Sequence, residues 1–278
     1  MVRIENIIGR FPKITRAVDS FLPEGIKTQL RRRLLHESFP MPEPFTREIS
    51  GICANFWVRN PSDFYRIVRD GFEDGFAKEL IDCINPGNIF LDIGSAQGLY
   101  SILVAKAGAQ VYSIDPDPLS NKSIIDNIAL NPEVVDSIRV IRLALGDTCG
   151  KMRLNYDDNG TYAPSLRRTV RALTNSIDID TMPLDKLIEE GKIKPPHVIK
   201  IDVEGAEGLV LKGMEGLLRL NERPQHIFIE IHEQFLPQFG TSAAQVEQQI
   251  QNLGYHPFDG VVRHREKQLC HYVYIDKK

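Results

Sequence analysis

The sequence predicts an α/β fold: a mostly parallel sheet with helices on both faces, closed at its C-terminal end by an antiparallel strand pair. Three observations carry the prediction. From about residue 85, short apolar runs alternate with amphipathic segments, the pattern of repeated strand, helix, strand crossovers. Those runs lack a regular polar face, as strands covered on both sides do. The last two strand-like runs are joined by a segment too short for a crossover helix, so they pair antiparallel.

Each element follows in order. Residues 1–84 are rich in proline, with Pro12, Pro23, Pro40, Pro42 and Pro44, a linker at 40–44, a helical candidate at Lys27–His36 and a strand candidate at Phe56–Val58. They read as a helical cap that gathers substrate on a sheet domain spanning 85–278. Asn88–Asp92 is the first strand of that domain, Leu99–Ala107 a helix, and Gln110–Asp115 the second strand. Leu119–Leu130 is helical, Ile138–Ala144 the third strand, and Val198–Asp202 the fourth. A helix over Gly208–Leu220, a fifth strand over His226–His232 and a helix over Ser242–Leu253 complete the crossovers, before the strand runs Tyr255–Phe258 and Leu269–Ile275. Between the third and fourth strands lies a long insertion at about 146–196, with extended pieces at Lys151–Asn155, Thr161–Ala163 and Asn175–Ile179 and a helix at Leu184–Glu190. Connections of that length are usually functional or elaborated.

Composition narrows the function. The chain has 34 Lys and Arg against 37 Asp and Glu, a formal charge of −3, which argues against a nucleic-acid partner bound through phosphate neutralisation. Cys53, Cys83, Cys149 and Cys270 stand singly, without a C-x-x-C pair or a nearby histidine at zinc spacing, and read as reduced packing residues. The first residues lack a secretory h-region, and no apolar run approaches the roughly 18 residues of a membrane span. A cytoplasmic protein is expected, with oligomeric state open. Arg31–Arg33 with Leu30, Leu34 and Leu35 reads first as an amphipathic surface helix.

The chemistry concentrates in two segments. Leu91–Gly98 follows a predicted strand and opens a helix, so its glycines permit a tight turn beside free helix N–H groups. The spacing is G-x-x-x-G, without the second glycine that admits the pyrophosphate in dinucleotide folds, which disfavours an NAD-dependent oxidoreductase. Asp92 suits an ammonium group and points to a ligand with an amino-acid end, such as S-adenosylmethionine. Gly94, Ser95, Gln97 and Gly98 form the loop, Asp115 ends the next strand where a carboxylate accepts ribose hydroxyls, and Asp147 is placed to accept from an adenine amine. The second segment is Ile199–Glu207, where Asp202, Glu204 and Glu207 crowd one strand end. Acids at a buried strand end repel one another and resist desolvation, so such a cluster marks a site.

Together these segments resemble the FkbM family of S-adenosylmethionine-dependent methyltransferases, through K-I-D-V-E-G-A-E at Lys200–Glu207, A-L-G-D at Ala144–Asp147, T-M-P-L-D at Thr181–Asp185 and Glu230–His232 at the fifth strand's end. The resemblance covers roughly 85–276. One departure is the loop, which reads Gly94-Ser95-Ala96-Gln97-Gly98 where many relatives have G-A-N-x-G. The resemblance implies a Rossmann-like class I methyltransferase fold, an S-adenosylmethionine cofactor, and O-methylation of a hydroxyl on a sugar, glycan or natural product. The alternatives are a protein or RNA acceptor, or a noncatalytic cofactor-binding scaffold. Transfer needs in-line approach and removal of the hydroxyl proton. His232 is the first candidate base, with Asp202 and Glu204 competing; Asp202 also serves as a cofactor orienter, and Glu207 as a helix-dipole partner. Mg²⁺ held by Asp202, Glu204 and His232 is chemically reasonable but not favoured, so no metal ligand is assigned.

Overall fold

A computed structural model describes residues 42–60, 63–68, 74–156, 175–258 and 269–274. The helical candidate at Lys27–His36, the basic run Arg31–Arg33 and the extended piece at Thr161–Ala163 lie outside the described residues.

The described chain opens with a hairpin, β1 (Glu43–Ile49) and β2 (Ile52–Val58), fully paired from Glu43 opposite Val58 to Ile49 opposite Ile52. Ser50 and Gly51 both have positive φ, 54° and 76°, the conformation of a tight two-residue hairpin turn. A π-helical turn at Phe64–Val68 and helix α1 (Asp74–Asp82) follow. The strand expected at Phe56–Val58 is thus the end of a longer strand. Ala54, Phe56 and Val58 alternate inward along β2, the period-two pattern of a strand, so the described part of the expected helical cap opens on a hairpin. Arg47 of β1 is ion-paired to Asp74 of α1, and the β2 amides of Asn55 and Trp57 donate to the side-chain oxygens of Asn131 and Asn127 at 2.9 and 2.8 Å. Those asparagines satisfy what would be an open sheet edge.

The main domain then alternates: β3 (Ile89–Ile93), α2 (Leu99–Lys106), β4 (Gln110–Ile114), α3 (Pro118–Ala129) and β5 (Ile138–Ile141). Next come β6 (Ala144–Leu145), β7 (Gly150–Tyr156), β8 (Asn175–Met182), α4 (Leu184–Glu189) and β9 (Val198–Ile201). The chain ends with α5 (Glu207–Lys212), α6 (Glu215–Leu218), β10 (His226–Glu230), α7 (Ala243–Asn252), β11 (Tyr255–Pro257) and β12 (Leu269–Tyr274). The seven-stranded sheet runs β11-β12-β10-β9-β3-β4-β5, and β6-β8-β7 form a smaller sheet. Within the large sheet β12 runs against both neighbours, and the other pairings are parallel. The expected α/β architecture with its antiparallel C-terminal pair is therefore present.

Two elements differ from the sequence expectation. The third strand stops at Ile141, and Ala144–Leu145 instead pairs with Thr181–Met182 of the small sheet. The helix expected over Gly208–Leu220 breaks at Gly213, where a Cβ would fall 1.9 Å from the Gly146 carbonyl oxygen. The short α6 restarts beyond it, with Asp185 accepting from the amides of Gly216 and Leu217 at 2.7 and 2.8 Å. A carboxylate there satisfies two of the free N–H groups of a helix start.

The sheet is buried on both faces. Phe90, Val111, Val198 and Phe228 join the hairpin, α1, α2 and α3 in one core, while Leu91, Ile93, Ile199, Ile201, Ile227 and Ile229 join α5, α6 and α7 in the other. The N-terminal hairpin and α1 share the first core with the sheet. All parallel strands therefore deliver their C-terminal ends to one edge of a rigid slab, where α/β ligands bind.

Candidate active site

The loop after β3 is shaped by contacts that only glycine allows. Gly94 has φ 75°, and a Cβ there would sit 1.7 Å from the backbone oxygen of Asp202. Gly98 has φ 84° and faces Ile124 of α3, which a Cβ would meet at 2.4 Å. The β3 loop is thereby clamped between the end of β9 and helix α3.

Asp115, just past β4, holds the loop from the other side. Its Oδ2 accepts from the Ala96 amide and its Oδ1 from the Asp117 amide, both at 2.9 Å. Burial pushes its carboxyl up to about 7, against the lowering effect of those two N–H donors. Asp115 lines an open pocket with Arg66, Gly94, Ala96, Leu145, Asp202 and Glu204, at the strand ends where α/β folds bind ligands.

Behind the loop lies a buried ion cluster. Asp92 is fully buried and accepts from the Ser101 hydroxyl at 2.6 Å. Lys200, opposite Asp92 in the β3–β9 register, places Nζ 3.5 Å from Asp92 Oδ1, 3.4 Å from Asp202 Oδ2 and 3.4 Å from the Gly94 carbonyl. Its ammonium also lies 4.9 Å from the centre of the Tyr100 ring. The ammonium that Asp92 meets in this structure is that of Lys200. Burial works against charge on Asp202, yet Lys200, His232 and Arg66 outweigh it and hold the carboxyl below its ordinary value.

Beside the acid pair Asp202 and Glu204 stands the buried His232. Its Nδ1 is 2.8 Å from Oε1 of the fully buried Glu207, which also accepts from the Gly205 amide at 3.0 Å. Its Nε2 lies 3.5 Å from Glu230, 3.9 Å from Asp202 and 3.9 Å from Glu204, and its ring stacks on Phe235. Burial works against the imidazolium, but the Glu207 hydrogen bond and the charges of Asp202, Glu204 and Glu230 overcome it and raise the pKa to about 10. His232 is therefore cationic at neutral pH. Glu204 has φ 54°, a left-handed conformation that is costly outside glycine and recurs at functional sites. One ligand atom each of Asp202, Glu204 and His232 fall within 4.8 Å of one another, but a protonated imidazole has no lone pair to give, so the set would hold a divalent cation only with His232 neutral.

The structure thus gathers Gly94, Asp115, Asp202 and Glu204 on the pocket wall, with His232 against the two acids. Other expected residues stand outside the lining. Ser95 Oγ accepts from the Ser113 hydroxyl at 2.7 Å, and the Gln97 carbonyl accepts from Asn127 at 2.9 Å, so both brace the loop. Asp147 is paired with Lys212 at 2.8 Å, while Leu143, Ala144 and Leu145 supply the wall near it. Lys200, Glu230 and Arg66 were not read as site residues, and Glu207 was read only as a helix-dipole partner within the acid cluster. Signals existed for two: a lysine within the apolar run Val198–Ile201, and an acid two positions before His232 on the same strand face.

The family model for the methyltransferase FkbM domain matches residues 92–257. The chain is 28% identical over 192 residues to hexuronic acid methyltransferase AglP of Haloferax volcanii, covering 68% of this chain and 74% of that protein. It is 23% identical over 176 residues to methyltransferase sdnD of Sordaria araneosa, covering 52% and 68%. Among solved structures it resembles methyltransferase FkbM from Methylobacillus flagellatus KT, at 15% identity and a TM-score of 0.46, covering 97% of this chain and 60% of that one. The chain spans about three fifths of that protein's length.

Proposed function

Because the chain belongs to the FkbM family of methyltransferases, we propose that it moves a methyl group from S-adenosylmethionine to a hydroxyl of a sugar, glycan or comparable natural product. The observation that carries this reading is one pocket joining a loop-bound carboxylate, Asp115, to the acid pair Asp202 and Glu204.

The residues fit the cofactor. Leu143, Leu145 and Leu154 offer an apolar surface for a purine, and Asp115 offers carboxylate oxygens to ribose hydroxyls. Asp202 and Glu204 favour a cationic group beside them. When bound, S-adenosylmethionine supplies an activated methyl on a positively charged sulfur. Gly94, Ser95, Gln97 and Gly98 hold the loop in register, and Asp92 acts through Lys200. Asp147 fixes the loop after β6 through Lys212.

The proton of the accepting hydroxyl needs a carboxylate. His232, already protonated, serves as a fixed positive charge that aligns Asp202 and Glu204, with Glu207 setting its ring. Asp202 carries Lys200 as well as His232 beside it and is held low, whereas Glu204 on the pocket wall faces His232 at 3.9 Å, so Glu204 is the base in this reading. As the new oxygen–carbon bond forms, the hydroxyl becomes strongly acidic and a carboxylate suffices. The acidic end of the pocket also repels a carboxylate acceptor and tolerates a neutral hydroxyl.

The test is transfer of labelled methyl to a panel of neutral hexoses, hexuronic acids and hydroxylated natural products, with EDTA present. The expected product is an alkali-stable methyl ether, reduced at least tenfold by Glu204→Gln. An alkali-labile methyl ester, or full turnover by Glu204→Gln, would overturn the assignment.

A further inference from the structure

At the opposite edge of the sheet, remote from the pocket, three residues distant in sequence converge. His226 opens β10, His271 lies within β12, and Cys83 follows the last turn of α1. One nitrogen of each imidazole and the Cys83 sulfur lie within 4.8 Å of one another. We propose that Cys83, His226 and His271 form a binding site for a zinc-class divalent cation that ties the N-terminal segment to the sheet.

The donor set is the first argument. A thiolate with two imidazoles is the borderline-soft combination that tetrahedral Zn²⁺ takes, leaving a fourth position for water. Bonds of about 2.3 Å to sulfur and about 2.0 Å to nitrogen place such donors roughly 3.3–3.5 Å apart. His226 Nδ1 and His271 Nε2 are already 3.0 Å apart, so closure is asked mainly of the cysteine side chain.

The second argument is independent of the cluster. His271 Nδ1 lies 2.6 Å from Oε1 of Glu79, the carboxylate one helical turn before Cys83. A carboxylate on the far nitrogen fixes the tautomer and turns the Nε2 lone pair toward His226, the arrangement that supports metal-bound histidines. The His271 ring is buried and stacked on Phe228 at 4.0 Å and Phe258 at 4.7 Å, so its direction is set. Strand β10 runs from His226 here to Glu230 at the opposite edge, which separates this site from the methyl-transfer pocket.

The test is Co²⁺ titration of the full chain, a spectroscopic stand-in for Zn²⁺. Expected are one equivalent bound, tetrahedral d–d bands and a thiolate-to-cobalt charge-transfer band in the near ultraviolet. Cys83→Ser should lose the charge-transfer band, Glu79→Gln should weaken binding about 10- to 100-fold, and His232→Gln should leave the spectrum unchanged. Absence of the charge-transfer band in the native chain, or its survival in Cys83→Ser, overturns the proposal. If Cys83→Ser does not fold, an unchanged affinity in Glu79→Gln does the same.

Discussion

Asp115 combines a structural role with, in the proposed function, a binding one. It holds two backbone amides while facing the pocket, and burial raises its pKa to about 7. A ribose is best met by the ionised form, so affinity for S-adenosylmethionine should rise as pH passes upward through about 7. Calorimetric titrations on either side of that value should show the rise, and Asp115→Asn should bind weakly and without it. His232 should keep its proton to about pH 10, which imidazole NMR shifts followed through that range will read. Gly94→Ala would drive a methyl into the Asp202 carbonyl, and loss of cofactor binding is the expected result. Asp202, Glu204 and His232 were legible because they crowd two short strand ends. The contacts of Lys200 and Glu207 were not, since they come from strand register and long-range packing: Lys200 meets Asp92 across the sheet, and Glu207, read only as a helix-dipole partner, reaches His232 from 25 residues away. The same blindness covers Cys83, whose histidine neighbours lie on β10 and β12.

At the scale of elements, the sequence periodicity located the strands and helices that pack against one sheet. It failed where tertiary contact overrides local pattern. Ile138–Ala144 is continuous in hydropathy, but the chain leaves the large sheet after Ile141 because Ala144 and Leu145 have partners in β8. Gly208–Leu220 has helical spacing throughout, but the Gly146 carbonyl presses on Gly213 and ends the first helix there. The second start depends on Asp185, which no local signal could assign. Asp185→Ala should therefore cost about 1 kcal/mol, the usual value of a lost cap, measured by urea unfolding. The hairpin was half read: Phe56–Val58 was visible, but β1 begins inside a proline-rich stretch that favours a linker.

At the scale of the molecule, one slab of mostly parallel sheet presents the glycine loop after β3, the acid pair and His232 at its C-terminal edge, and no helix among the described residues is long and apolar enough to cross a membrane. The charge network couples this site to global stability. His232 has a folded pKa near 10 against an ordinary value of 6.5, so its contribution is complete below about 6.5 and is lost as pH rises toward 10. Asp202 has the opposite sign: its contribution stands above its ordinary 3.8 and is lost as pH falls through the depressed folded value. Urea unfolding of the native chain and His232→Gln should therefore show a stability gap near pH 6 that narrows by pH 10. The central claim, that the edge between β3, β4 and β9 holds S-adenosylmethionine against Asp115, is tested most directly by calorimetric titration of that cofactor into the native chain and Asp115→Asn. The account predicts saturable one-site binding to the native chain, weakened at least tenfold in the variant. No binding to the folded native chain, or equal affinity in the two, would contradict it.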